Sequence, residues 1–323
     1  MANLVRMDRA SYDASSFLDR RIQVPAGAEV YELPFQSLSS IFQNVAESRT
    51  RFLFHISHVG STLISKLIGS NPNFLSLREP VLLRNLSEYK QTISEPESRI
   101  DRQTYLATLK TTLGLLARPL GEASEVVVKA TSYANILASD ILSLQPHSRA
   151  VGIYSQYENF AANILKGGAG WLDILQMSPV RMKRLHVMLG RQPWQLWRLR
   201  PGQVIAMSWL CEMLTLVSAA SRHPGRFSWV EFDRFNEDPS AGIQDLCSAL
   251  QLDWTSFDTG RMLDSGLLNV YGKSSDRVYG ASDRKNDILE NKARHSSSID
   301  DGKKWLVRAI HDHSELTVVK ELI

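Results

Sequence analysis

The sequence predicts a single α/β domain over residues 1–323, built on a central parallel sheet with helical insertions. Three observations point that way. The valine run Val126–Val128 reads as a strand with both faces covered. Short apolar runs alternate with helical periodicities through the middle of the chain, as crossover units require. The stretch HISHVGSTLISKLIGSNP, from His55 to Pro72, sets a strand end, a tight glycine turn and a helix in that order.

Residues 1–50 read as a lead-in packed on the main body, with a helix over SLSSIFQNVAES, where Leu38, Ile41, Phe42 and Val45 share a face. RFLFHIS is a buried strand. STLISKLIGS is a helix with Leu63, Leu67 and Ile68 along one side, stopped by Gly69 and Asn71-Pro72. NFLSLREP supplies a second extended piece, and Val81 to Ala123 returns to helical patterns. After the valine strand, YANILASDILSLQP is helical through Ile136, Leu137, Ile141 and Leu142. RAVGIYS is a further strand, feeding the helix YENFAANILKGG.

Residues 170–202, rich in Trp, Arg, Met and Pro, are either a helical insertion that walls a pocket or a plain core with aromatic anchors. QVIAMSWLCEMLTLVSAASR is apolar around most of its circumference and predicts a buried helix. FSWVEFDRF reads as a strand whose exit carries Glu231 and Asp233. Asp238-Pro239 then opens a helix with Leu246 and Leu250 inward. Residues 271–300 are polar and rich in Gly and Ser, the composition of a surface loop or flap. DDGKKWLVRAIHDH is a last helix, marked by early Asp and by Trp305, Leu306 and Ile310.

With 323 residues and 43% hydrophobic content the chain can bury a full core. Its 37 Lys and Arg against 34 Asp and Glu leave a charge of +3, too little to steer it toward nucleic acid or anionic lipid. The cluster Trp194, Trp197, Arg198 and Arg200 therefore reads as pocket wall or core packing. Cys211 and Cys247 sit in apolar surroundings and read as buried thiols of an intracellular protein. The N-terminus lacks the apolar core of a secretion signal, and no window reaches the about 18 uninterrupted apolar residues that span a bilayer. A cytoplasmic location is expected.

The chemistry centres on Gly60-Ser61-Thr62. A helix starting there presents amides without intrahelical partners and the positive end of its dipole, a natural seat for phosphate or sulfate oxygens. Gly60 would let those oxygens approach the backbone. The Ser61 and Thr62 hydroxyls can donate to an anion, or simply cap the helix. No Lys follows in Walker spacing, so a magnesium-dependent nucleoside triphosphatase is disfavoured.

Here the chain resembles the sulfotransferase superfamily, in which a basic residue followed by Ser-Gly-Ser/Thr-Thr grips the 5'-phosphosulfate of 3'-phosphoadenosine 5'-phosphosulfate. The likeness runs in order from Arg51 to Leu306. It takes in the Asn-Pro and Glu-Pro pairs, VVVKATSYANIL, SRAVGIYSQYENFAANILKG, WVEFDRFNEDPSAGIQDLCSALQLD and YGKSSDRVYGASDRKNDIL. It implies a P-loop-like three-layer α/β/α fold and metal-independent transfer of a sulfuryl group from that nucleotide donor to a hydroxyl or amine of a small molecule. By resemblance the donor contacts are His58, Val59, Gly60, Ser61, Thr62, Leu63, Lys129, Ser155, Asn163, Arg277 and Arg284, with Lys273 and Lys285 beside the last two.

The match is inexact at named positions. His58 stands where the family has Lys or Arg, Val59 where it has Ser, Ser155 where it has Arg, and Asn163 where it has Ser. His58 can donate one hydrogen bond to the leaving phosphate but is charged only near or below a pKa of about 6.5. Ser155 lacks a guanidinium fork. Glu79 is the expected base for the acceptor hydroxyl, the alternative being a loop carboxylate paired with Arg78. Lys129, at the carboxyl edge of its strand, is a donor contact or a snorkelling lysine. His295 is a late-loop candidate, while His186 and His223 read as packing or surface residues. The departures also suit a sulfotransferase-like protein without transferase activity, binding a nucleotide or a protein partner.

Overall fold

The computed structural model describes residues 2–19, 21–22, 24, 26–41, 49–270 and 278–323. The expected helical positions Phe42 and Val45, and the candidates Lys273 and Arg277, lie outside the described residues.

Among its described residues the lead-in carries a strand pair as well as helix. Strands β1 (Ala2–Val5) and β2 (Val30–Leu33) pair antiparallel and hold between them the short helix α1 (Arg9–Ala14), whose amide at Ser11 is capped by Asp8. Helix α2 (Phe35–Ile41) follows, with Leu38 buried.

The main body is three layers, helices covering both faces of a parallel sheet. In chain order it runs β3 (Arg51–His55), α3 (Ser61–Gly69), β4 (Phe74–Arg78), α4 (Val81–Thr92), α5 (Arg102–Leu116), β5 (Glu125–Lys129), a 3-10 turn over Ser132–Leu137, α6 (Ala138–Leu144), β6 (Arg149–Tyr154) and α7 (Tyr157–Leu165). Then come α8 (Ala169–Leu189), α9 (Pro201–Arg222), β7 (Phe227–Glu231), α10 (Phe232–Glu237), α11 (Pro239–Leu250), α12 (Ser256–Asp264), α13 (Ala281–Arg294) and α14 (Ser296–Asp312). A 3-10 segment over Ser314–Leu322 closes the chain.

The sheet order is β4-β5-β3-β6-β7, every pair parallel. After β3 the chain passes over β5's position to the edge, returns, and then continues on the other side of β3. That reversal opens a crevice at the carboxyl ends of the strands beside β3, where open α/β sheets bind ligands. Phe52, Leu53 and Phe54 of β3, Val127 and Val128 of β5, and Val151 and Ile153 of β6 are fully buried, as strands covered on both faces require.

Two sequence boundaries move. The strand FSWVEFDRF ends at Glu231, because the Glu231 carboxylate accepts from the amides of Asp233 (3.1 Å) and Arg234 (2.8 Å) and starts α10 at Phe232. The stretch 271–300, expected as a loop or flap, is helical from Ala281 to Arg294 and again from Ser296. Asp283 accepts from the Gly280 amide at 2.8 Å, and Arg284, Ile288 and Asn291 form a buried stripe at i, i+4 and i+7 facing α7. One apolar residue in that stripe is too weak a signal for composition to register.

Residues 170–202 are helical to Leu189, with Pro179 inside α8, followed by an extended link and a short 3-10 turn. Trp194 packs on Trp305 with ring centroids 5.0 Å apart, Trp197 is exposed with Arg198 over its ring, and Arg200 pairs with Asp301. None of the four lines the cavity described next. Helix α9 is long and apolar enough to cross a membrane, but most of it is buried within this fold.

Candidate functional site

A cavity of about 680 Å³ lies at the carboxyl ends of the central strands. Its floor is the loop from β3 to α3. There the backbone takes the left-handed conformation three times within four residues, at Ser57 (φ 76°), His58 (φ 52°) and Gly60 (φ 72°). Two of these are not glycine, and each costs about 1–3 kcal/mol unless its surroundings enforce it.

Helix α3 begins at Ser61 with Gly60 as its N-cap and no side-chain cap. The Leu63 and Ile64 amides turn back to the Gly60 carbonyl at 2.9 and 3.2 Å. Among the described residues the amides of Ser61 and Thr62 have no such acceptor, and both residues line the cavity with their hydroxyls uncommitted. The alternative in which Ser61 or Thr62 caps its own helix is therefore not the arrangement found.

Gly60 also meets a steric need: a Cβ built on it would lie 1.9 Å from Cζ of Phe232, the ring at the start of α10. The helix mouth meets the cavity at Gly60, Ser61 and Thr62. Val59 is buried, and both Val59 and Leu63 contribute to the lining.

Glu79 follows β4 in a left-handed conformation (φ 54°), its amide donating to the Lys129 carbonyl at 2.7 Å. Its carboxylate is ion-paired with the Lys129 ammonium, which is completely buried. The expected alternative partner, Arg78, reaches away to the carbonyls of Ser15 (2.9 Å) and Asp13 (3.1 Å). Lys129 does not snorkel: burial pushes its pKa below the ordinary lysine range, and the Glu79 carboxylate opposes that shift.

The same carboxylate has further neighbours. His55 Nδ1 accepts from the Ser57 amide at 3.0 Å, so a neutral ring carries its proton on Nε2, 3.9 Å from Glu79 Oε1. The Arg21 guanidinium lies 3.7 Å from Glu79 Oε2 and stacks over the Phe17 ring at 3.6 Å.

On the far side Asn163 donates to the His58 carbonyl at 2.7 Å, and the His58 imidazole lies beside Gly170 at the start of α8. Arg284 lines the cavity, its Nε donating to Asp233 at 3.0 Å and its guanidinium 4.8 Å from the centre of the Phe232 ring. Burial works against charge on Asp233, yet Arg284 and Asn159 hold its carboxyl below the usual range. Ser155 does not line the cavity: it is fully buried, with its carbonyl accepting from Trp209 Nε1 at 3.0 Å. His295, at the junction of α13 and α14, is likewise absent from the lining.

Thus the fold brings His58, Val59, Gly60, Ser61, Thr62, Leu63, Glu79, Lys129, Asn163 and Arg284 to one cavity and leaves Ser155 out. Sequence reasoning missed Phe17, Arg21, His55, Ser57, Asp173 and Phe232. His55 and Ser57 flank the motif and could have been read from it. The others arrive from distant segments and carry no local signal.

No protein-family model and no curated protein sequence matches the chain. In fold it is similar to solved sulfotransferases. One is the sulfotransferase domain from the curacin biosynthetic pathway, at 14% identity, covering 73% of this chain and 81% of that one with a TM-score of 0.40. A sulfotransferase from Mycobacterium avium gives 11% identity, 86% and 82% coverage and 0.42. One from Mycobacterium tuberculosis H37Rv gives 13%, 81% of each chain and 0.42. Likenesses this distant concern the path of the chain and assign no residue a role.

Proposed function

We propose that the protein transfers a sulfuryl group from 3'-phosphoadenosine 5'-phosphosulfate to a hydroxyl or amine of a small-molecule acceptor, without a metal, in the cytoplasm. The observation that carries this reading is the uncapped mouth of α3. Its Ser61 and Thr62 amides and hydroxyls line a cavity that also holds Glu79 and Lys129. Amides and hydroxyls fixed before the ligand arrives are suited to the bridging and non-bridging oxygens of the transferred group, where charge develops.

In this reading Ser61 and Thr62 hold the 5'-phosphosulfate and His58 donates toward the leaving phosphate. Glu79 takes the acceptor proton, with Lys129 orienting the carboxylate. Arg284, at the cavity wall over the Phe232 ring, offers the nucleotide a cation. Arg277 remains a proposed contact from the sequence resemblance alone. The site fits the 5' end of the donor better than the 3' end, since Ser155 is buried and Asn163 is engaged with the loop.

A second reading, binding of a nucleotide or protein partner without transfer, is favoured by one feature. Of the five Lys and Arg side chains that line the cavity among the described residues, Lys129, Arg284, Lys166 and Arg21 are closely paired with Glu79, Asp233, Asp287 and Asp19, and Arg84 lies 3.8 Å from Glu88. An anionic ligand must share or displace those carboxylates.

Titration calorimetry with adenosine 3',5'-bisphosphate, and separately with ATP and magnesium, tests the proposal. Metal-independent binding of the bisphosphate is expected. Binding without transfer from labelled donor across an acceptor panel would leave the second reading, and binding of ATP only with magnesium, with none of the bisphosphate, would contradict the proposed transfer.

A further inference from the structure

The left-handed backbone at Ser57 and His58 is held from outside the loop, at the His58 carbonyl by Asn163 of α7 and at the Ser57 hydroxyl by one residue on α8. The Ser57 hydroxyl donates to Asp173 Oδ2 at 3.3 Å, and the same carboxylate oxygen accepts from Arg181 Nη2 at 3.1 Å. Arg181 is almost wholly buried and is itself fixed by Glu212 of α9, Nε to Oε1 at 2.9 Å. Glu212 also accepts from Arg184 (3.2 Å) and from Asn135 Nδ2 (2.9 Å), and Asn135 in turn donates to the His55 carbonyl at 2.9 Å. The circuit leaves the loop at Ser57, crosses two helices and returns at His55, two residues upstream.

We propose that Asp173 is a positioning residue: it latches Ser57 to the buried Arg181–Glu212 pair and so sets the backbone shape that presents the Ser61 and Thr62 amides to the cavity. This rests on the functional reading given above for its consequence, but not for its geometry. Ser57 has two anchors, its amide on His55 Nδ1 and its hydroxyl on Asp173. Only the second reaches the rigid helical layer. A backbone that is costly for serine persists when such contacts over-determine it; the acceptor here is a carboxylate about 30% exposed, whose charge assists a bond of 3.3 Å and whose position is fixed by the buried Arg181.

Native-state hydrogen exchange of the Ser57 amide tests the latch, with the core strand amides of Val127 and Ile153 as an internal reference for global stability. Asp173→Ala is expected to speed exchange at position 57 by about tenfold relative to that reference. Asp173→Asn keeps an oxygen for the Ser57 hydroxyl and should stay within about threefold of the unmodified protein. Ser57→Ala should match Asp173→Ala, and the double variant should add little, because both substitutions remove the same contact. Affinity for adenosine 3',5'-bisphosphate should fall in step with the exchange change.

Unaltered exchange at residue 57 in Asp173→Ala, or fully additive effects of the two alanines, would overturn the latch. If the unmodified protein binds no bisphosphate, the functional reading fails while the exchange data still decide the latch.

Discussion

Lys129 is the residue whose environment is most demanding. Its ammonium has no exposure and, among the described residues, one carboxylate partner, so removing that partner strands a buried charge. Glu79→Gln is expected to cost about 3 kcal/mol in urea unfolding, far more than neutralising an exposed pair. Because the folded chain holds the Lys129 proton less tightly than the unfolded chain, stability gained above the ordinary value of 10.5 is lost as pH falls through the lowered folded value. Lys129→Met should flatten that part of the pH–stability curve, and an unchanged slope would count against the burial that lowers the lysine's pKa. Cys211 provides a contrast in sign. Burial pushes its thiol up to about 12, so its contribution is complete below 9.0 and disappears as pH rises through about 12. At neutral pH the thiols of the folded protein should react with Ellman's reagent only at the rate of global unfolding. Fast labelling would mean an open core.

At the scale of elements, the β3 to β4 unit was legible in order and nearly in bounds. Its signals are local: an apolar run, a glycine turn, helical spacing and an Asn-Pro stop. The pairing of Glu79 with Lys129 was not legible, since it depends on the register that sets Arg78 of β4 beside Lys129 of β5, some fifty residues on. The N-terminal ribbon was missed because its strands are four residues each, β1 half-exposed and β2 exposed throughout, too short and too open to impose a period. The steric reason for Gly60 was also invisible, for it depends on Phe232 from α10. Gly60→Ala is expected to destabilise by about 2 kcal/mol, combining a left-handed backbone and a displaced ring. In a Phe232→Ala background the steric part disappears, so the cost of Gly60→Ala should shrink by about 1 kcal/mol. Equal costs in both backgrounds would mean that ring and turn are not in contact.

Over the whole molecule, stability and site share one scaffold. Helix α9 carries Glu212 at the base of the cavity network, and at its other end crosses α14 where Gly202 and Gly302 nearly touch. A Cβ on Gly202 would sit 1.9 Å from the Ser298 carbonyl oxygen, a backbone atom with nowhere to yield. Gly202→Ala should therefore cost about 2 kcal/mol or more in denaturant unfolding, and a neutral result would show the two helices crossing farther apart. The valine strand, the strand and helix cadence and the long apolar helix sufficed to read the α/β class. The sheet order, which creates the crevice, was not readable, because nothing local records which strands become neighbours.

The central claim is that the Ser61 and Thr62 amides at the mouth of α3 receive an oxyanion. Amide-resolved NMR of the isotope-labelled protein, titrated with adenosine 3',5'-bisphosphate in the absence of magnesium, addresses it directly. The account expects the amide protons of Ser61 and Thr62 to move downfield together in a saturable way, and Thr62→Ala to weaken the midpoint by about tenfold. Resonances of Ser61 and Thr62 that stay in place at saturating ligand, or a midpoint indifferent to Thr62→Ala, would contradict it.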